Sequence, residues 1–485
     1  MKLRLQAIGT TVGLIVILGL PLSLAAQASG GQGQPPAQQH QHQHPSSSGI
    51  QSEKAQPSSS TQAQASEARL RLEDFEQMAL ESNPTLAQAL ANVRAAEGRK
   101  VQAGLYPNPV IGATGEEVSP GPIIRGGEFG AFVEQRIVTA GKLRLSRNIF
   151  EQERLQAEHM SQAQKYRILN SVRSLYYEAL GAQRLVEVET QLAKVSLEGV
   201  KISKELTNVG AADQPDLLES EIEADRAEIS LSMAKTAQAR IWRELAAMVG
   251  KPSLQPAPLE GNLEEVPRLE LESALATLFS ESPEIRTSEA GIAREEAALR
   301  RAKVEKIPDI VARGGLRYNR ELLELGQTPV GLEGTFDVGV EIPFFNRNQG
   351  NVAAARANLE RAQREADRLK LSLRIRMARA YKEYQDSLNI VEKYRTQMIP
   401  RAQKAYELYT GNFRQMAAAY PQVLIAQRNL FQLQEHYVSA LVKTWRSAVE
   451  IRGLLLSGGL AAPGAMGAET AGADTMETGG PAEEH

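Results

Sequence analysis

Few side chains in this chain are placed to do chemistry. His40, His42 and His44 alternate with glutamine in a stretch otherwise rich in Gln, Ser, Pro and Gly. Imidazoles at alternate positions of a flexible segment can hold a borderline divalent cation loosely, although low-complexity sequence also produces such runs. Three carboxylates, Asp213, Asp216 and Glu219, flank Pro215 just after the turn residue Gly210. Asp216 and Glu219 are spaced to share one helix face, and the helix macrodipole alone also favours acids at a helix start. His159 and His436 lie on helical stretches with no nearby partner in sequence. The chain has no cysteine. No nucleophile–base pair, zinc-ligand spacing or phosphate loop is present, and Gly126-Gly127 reads as a turn. The chain is therefore read as a non-enzyme without a cofactor.

The elements that would position these groups come twice. Glu81-Ser82-Asn83-Pro84 precedes an Ala-rich helical run, an arrest at Pro107 and Pro109, and a strand ending at Ile137. Glu281-Ser282-Pro283 precedes another Ala-rich run, an arrest at Pro308, and a strand ending near Phe345. Both copies then continue into long polar helices that close on Trp242-Arg243 with Gly250 and on Trp445-Arg446 with Gly453. A duplication this long is one helix–hairpin–helix–helix unit used twice, not a short solenoid period.

The chain has 485 residues with 5% aromatic content, and abundant Ala, Leu, Glu, Gln and Arg, a composition of long helices and thin seams. A net charge of −3 gives no polybasic surface for nucleic acid. A basic start, an apolar run from Thr10 to Leu24 and Ala26-Gln27-Ala28 read as a signal peptide over residues 1–28. With no cysteine, a lipidated N-terminal Cys is excluded. Residues 29–66 read as a disordered lead and 457–485 as a disordered tail. The first repeat spans 67–250 and the second 268–456, joined by a Pro-rich linker at 251–267. No later stretch is long and apolar enough for a membrane helix, so any entry into a membrane must use strands.

Strands are expected at about 109–117 and 128–138, and at about 309–318 and 335–345, where Phe336, Val338, Val340, Ile342 and Phe344 share one face. The flanking helices keep 3–4 spacing for great lengths, and one from 142 to 208 would span about 100 Å. They reverse at Asn208–Gly210 and near Asn412–Arg414. Four strands cannot close a barrel, and a monomer would leave sheet edges open. Three copies would supply twelve strands, with the helices continuing the barrel as a tube.

The doubled Asn83-Pro84 and Ser282-Pro283 starts, the joints Val133–Ile137 and Val340–Phe345, and the return helix Gln422–Leu430 together resemble a TolC-family outer-membrane efflux channel over about residues 70–456. The resemblance implies a fold class mixing an all-α coiled-coil tunnel with a transmembrane β-barrel: a homotrimer with four strands per chain in a twelve-stranded barrel set in outer-membrane lipid. It implies a periplasmic adaptor (membrane fusion protein) and an inner-membrane RND-type pump as partners. The run Glu341–Gly350 is most similar to the CzcC-type branch serving heavy-metal RND pumps, which implies metal cations as substrate and makes His40, His42 and His44 candidate metal residues. Family channels often place acidic residues at the tips of the second repeat. Here Gln422 and Ile425 stand there, so Asp213, Asp216 and Glu219 become the candidate pore and gate residues. Asn208, Gly210, Asn412 and Arg414 become candidate adaptor-contact tips, although turn chemistry alone accounts for them too. A rival reading is a periplasmic coiled-coil adaptor or scaffold that never spans a membrane. The same channel serving drugs, solvents or type I secretion is another.

Overall fold

Proline placement sets the first helix boundaries. In the computed structural model, which describes residues 69–117, 127–210, 213–322, 329–415, 417 and 419–463, α1 (Leu72–Ser82) ends at Asn83 and α2 (Pro84–Ala103) begins at once. Asn83 caps α2 by accepting from the Thr85 amide, and its Nδ2 donates to the Met248 carbonyl 2.8 Å away. The second copy repeats the break as α5 (Leu271–Glu281) and α6 (Pro283–Val304). Proline at the first helical position loses no intrahelical bond, because that N–H would be an orphan anyway.

The long helices are as long as the periodicity requires in the first copy. α3 (Lys142–Asn208) runs 67 residues unbroken and returns as α4 (Gln214–Met248). The second copy differs. α7 (Gln349–Lys393) passes into a π-turn at Tyr394–Met398 before α8 (Ile399–Arg414), and α9 (Tyr420–Arg452) returns. Pro400 explains the interruption: it has no N–H to give and its ring crowds the carbonyl four residues back. The wider turn, in which the Ile399 amide reaches the Tyr394 carbonyl, absorbs the conflict.

β1 (Val110–Glu116), β2 (Glu128–Ile137), β3 (Ile310–Leu322) and β4 (Pro329–Val340) form one antiparallel sheet in the order β1-β2-β3-β4. β2 of the first copy pairs β3 of the second from Glu128↔Asn319 to Ile137↔Ile310, so the two hairpins share one sheet. The third strand runs past the expected end, and the fourth starts earlier and stops at Val340, not near 345. Pro343 cannot donate to a ladder, and the Phe344 amide turns back to the Ile342 carbonyl. Phe344 and Phe345 therefore stack edge-on outside the sheet, both exposed.

Two cores hold the helices where both copies meet the linker. One packs Phe75, Tyr176, Trp242, Leu245, Leu259 and Tyr437. The other packs Leu278, Leu373, Met377, Tyr384 and Leu454 to Leu456. Each tryptophan ties the linker: Trp242 donates to the Leu254 carbonyl and Trp445 to the Leu263 carbonyl. The duplicated glycines are not equivalent. Gly250 takes φ +77 to close α4, and a Cβ there would meet the Ser82 carbonyl at 2.5 Å. Gly453 keeps a negative φ, and the left-handed conformation passes to Leu454 and Leu455, at φ 59 and 60. The expected tail starts too early at 457. Gly459 donates to Ser171, and its carbonyl accepts from Thr85 and Gln164, so this stretch is packed on α3. The expected leader at 1–28 and lead at 29–66 lie outside the described residues, as do residues 464–485.

Candidate functional site

The sheet separates its two faces sharply. Ile111, Phe129, Val133, Leu316, Tyr318, Leu332, Phe336 and Val338 are exposed, with Ile111 at 77% and Phe336 at 76%. On the other side Arg317 bridges Glu116 at 3.1 Å, Glu128 at 2.5 Å and Glu333 at 3.0 Å, across all four strands. Arg313 lies over the Phe132 ring at 3.6 Å. Strand periodicity places apolar and charged residues on opposite faces, and the apolar face is bare. β1 and β4 are edges without a partner strand among the described residues. Where sheet turns into helix, Asp309 binds Lys142 at 2.8 Å, Arg136 at 2.8 Å and the Thr139 amide at 3.1 Å. Burial raises the Asp309 carboxyl, but these donors outweigh it and hold the group down to about 2.

At the far end of the helices, polar rungs join the α3–α4 hairpin to α9. Gln427 donates to Ser196 at 2.9 Å. The Tyr420 ring reaches over Gly199, where a Cβ would meet its hydroxyl at 2.7 Å, and lies beside Ser203 and Ser220. Arg428 of α9 donates to Glu223 of α4 at 2.7 Å, with Arg226 at 3.5 Å on the same oxygen. The Glu223 side chain is 11% exposed, and its hydrogen bond and charge raise the Arg428 guanidinium further above its ordinary value. Small residues at 196, 199, 203 and 220 let three helices approach closely, and the polar groups hold them in one register.

The sequence-derived candidates fall around this cluster. Asp213 is the N-cap of α4 with no side-chain capping bond and is exposed, and Asp216 is half-buried in the first turn. Glu219 is exposed and adds to the field at Arg428. No ion pair reaches Asp213 or Asp216 among the described residues, so the carboxylate that engages the neighbouring hairpin is Glu223. Sequence reading missed it because Glu223 and Arg428 are 205 residues apart. The only available signals were the buried phase of Glu223 on the α4 seam and the position of Arg428 in the return helix. Asn208 is exposed beside Gly210, which takes φ +71 to end the hairpin, and the Asn412 carbonyl accepts from the Ala417 amide at 2.8 Å. The side chain of Arg414 and residues His40, His42 and His44 lie outside what is described. Among the described residues, no group of three or more metal-binding side chains exists. No described helix is long and apolar enough to cross a membrane, which leaves the sheet as the element with a bare apolar face.

Among the described residues a sheet bare of cover on one face is continued by polar helical hairpins about 100 Å long, and solved proteins of this architecture are outer-membrane channels. The chain belongs to the outer membrane efflux protein family, whose profile matches residues 76–251 and again 274–455. The TolC-family resemblance is thereby borne out, and the family pattern occurs twice. The chain is 25% identical over 390 residues to the cobalt-zinc-cadmium resistance protein CzcC of Cupriavidus metallidurans, covering 80% of this chain and 90% of that one. Solved structures share the fold. CusC has a TM-score of 0.68 at 16% identity, over 81% of this chain and 93% of that chain. The open-state MtrE channel of Neisseria gonorrhoeae has 0.65 at 16% identity, over 80% and 89%.

Proposed function

We propose that the protein is the passive exit duct of a tripartite efflux system, assembled as a homotrimer whose twelve strands close a barrel in the outer membrane. The observation that supports this reading is the four-stranded sheet that, among the described residues, has one bare apolar face and two unpaired edges. Edges of that kind demand pairing, and β1 of one copy meeting β4 of the next removes every edge at once. The apolar face then meets lipid, and the Arg317 cluster lines the lumen. The helical hairpins extend into the periplasm, where a periplasmic adaptor grips the tips and an RND-type pump supplies the energy. The signal peptide delivers the chain there.

The substrate is read as heavy-metal cations, on the likeness to CzcC. The gate is read as the tip cluster around Glu223, Arg428 and Tyr420, whose rungs must part for the hairpins to splay. Asp213, Asp216 and Glu219, repeated by three-fold symmetry, would add an acidic ring that favours cations. Growth of a deletion strain across zinc, cobalt, cadmium, nickel, copper and silver salts, with hydrophobic antibiotics alongside, tests the substrate. Sensitivity to metals alone supports this assignment. Sensitivity to organic compounds alone removes it and leaves the duct.

A further inference from the structure

One rung of the α3–α9 seam has the wrong chemistry for a static tie. The register is fixed on both sides: Ser196 meets Gln427 nearer the tips, and Gly181 faces Val442 further up, where a Cβ would touch the valine at 2.2 Å. Between them stand Glu189 of α3 and Glu435 of α9. Glu189 is 4% exposed, and its Oε2 has no hydrogen-bond partner among the described residues. The carboxylate facing it is also only an acceptor when ionised. A buried acceptor facing another acceptor is costly unless something supplies a donor.

The neighbouring charges do not supply it. In the groove beside Glu435, Arg446 is held by Glu178 at 2.8 Å and Arg240 by Glu244 at 2.6 Å, and Glu383, Glu450 and Lys443 complete the charged lining. On the other flank Arg184 is held by Glu187 at 2.7 Å, and Arg395 and Glu264 line that cavity. His436, the next residue of α9, is exposed. Burial comes first among the causes that shift Glu189, then the charge of Glu435, then the bond between the two carboxyls, and together they push its carboxyl up to about 7. No cation enters that balance.

We propose that Glu189 and Glu435 share one proton, and that this proton ties α3 to α9 above the tips. With the proton present, one carboxyl donates to the other and the seam is closed. When it leaves, the buried Glu189 carboxylate faces the like charge of half-buried Glu435 and the rung loosens. A carboxyl raised in the folded state keeps a proton that the unfolded chain has already released. The seam is therefore strongest in acid, weakens as pH rises through about 7, and carries the full repulsion above that. As a control on opening this rests on the gate reading above; as a proton site it does not.

The chain has no cysteine, so Thr190→Cys with Gln432→Cys places spin labels at two exposed positions flanking the rung. Pulsed electron–electron distance measurements on the full chain in lipid discs, diluted with unlabelled chain, would run from about pH 5 to about pH 9. The expected result is a lengthening on the order of 1–2 Å with a midpoint near pH 7. It should be absent in Glu189→Gln and in Glu435→Gln, whose amide donates at every pH. A distance that ignores pH, or that still titrates in both variants, overturns the proposal. The measurement needs no conduction. A titrating rung in a protein whose conductance ignores Arg428→Ala would sink the gate reading and leave the proton site standing.

Discussion

Asp309 and Lys142 carry the joint between sheet and helix. Lys142 is 3% exposed, so removing its partner strands a buried charge. Asp309→Asn should lower stability by about 3–5 kcal/mol, read as a drop in denaturation midpoint. The pH effect has a definite sign. A carboxyl held below its ordinary value contributes stability that is complete above the unfolded value near 3.8 and is lost as pH falls through about 2. The variant should show a flatter acid-unfolding curve over that window. At the opposite end, Glu223 and Arg428 form the tie that must break if the tips splay. Arg428→Ala leaves Glu223 largely buried without its closest donor, at a cost of about 1–3 kcal/mol. The expected result in planar bilayers is a several-fold rise in single-channel conductance with the fold retained. Unchanged conductance would remove this pair from the gate.

At the scale of elements, the two copies are alike in order and unlike in mechanics. α3 is continuous, whereas its counterpart is divided by the π-turn at Tyr394–Met398. Replacing Pro400 with alanine should relieve the constraint, and a solved structure of the variant should show ordinary helical bonding through 394–398. The helix ends differ as well. A Cβ at Gly453 would meet the Asn170 amide at 2.0 to 2.3 Å, and the Nδ2 of that amide donates to the carbonyls of Gly453 and Leu456. Gly453→Ala should therefore displace Asn170 and loosen the buried run Leu454 to Leu456. Its cost should be about 1–3 kcal/mol, measured as a lower melting temperature. Two consecutive left-handed leucines are unfavourable by about 1–2 kcal/mol each, and burial of three leucine side chains at about 1.5–3 kcal/mol each outweighs that.

For the molecule as a whole, the decisive feature is an unfinished sheet. Among the described residues the chain has four strands, two open edges and an apolar face without cover. If three copies close the barrel, single cysteines scanned along Val110–Glu116 and paired with one in Pro329–Val340 should give disulfide-linked trimers on oxidising gels. Pairs in matching register should react and their neighbours should not, since successive residues point to opposite faces. Only monomer bands across the scan would count against closure between copies.

The sequence by itself determined the order of elements, both proline-started helix pairs, the unbroken helix to Asn208 and the two hairpins, because each is encoded in local spacing, caps and turn chemistry. It also carried the family, through the duplicated order of those parts. The tertiary structure alone decided which carboxylate pairs with the neighbouring hairpin: Asp213 and Asp216 stand at a helix start, while Glu223 meets a residue 205 positions away. The same holds for the docked stretch after Ser457 and the facing pair Glu189 and Glu435. Each is set by a neighbour distant in sequence: a rung, a core or an edge that exists only once two long helices or two hairpins lie side by side. Local propensity carries no information about which buried group will meet which, because that pairing is fixed by register between elements and not by spacing within one.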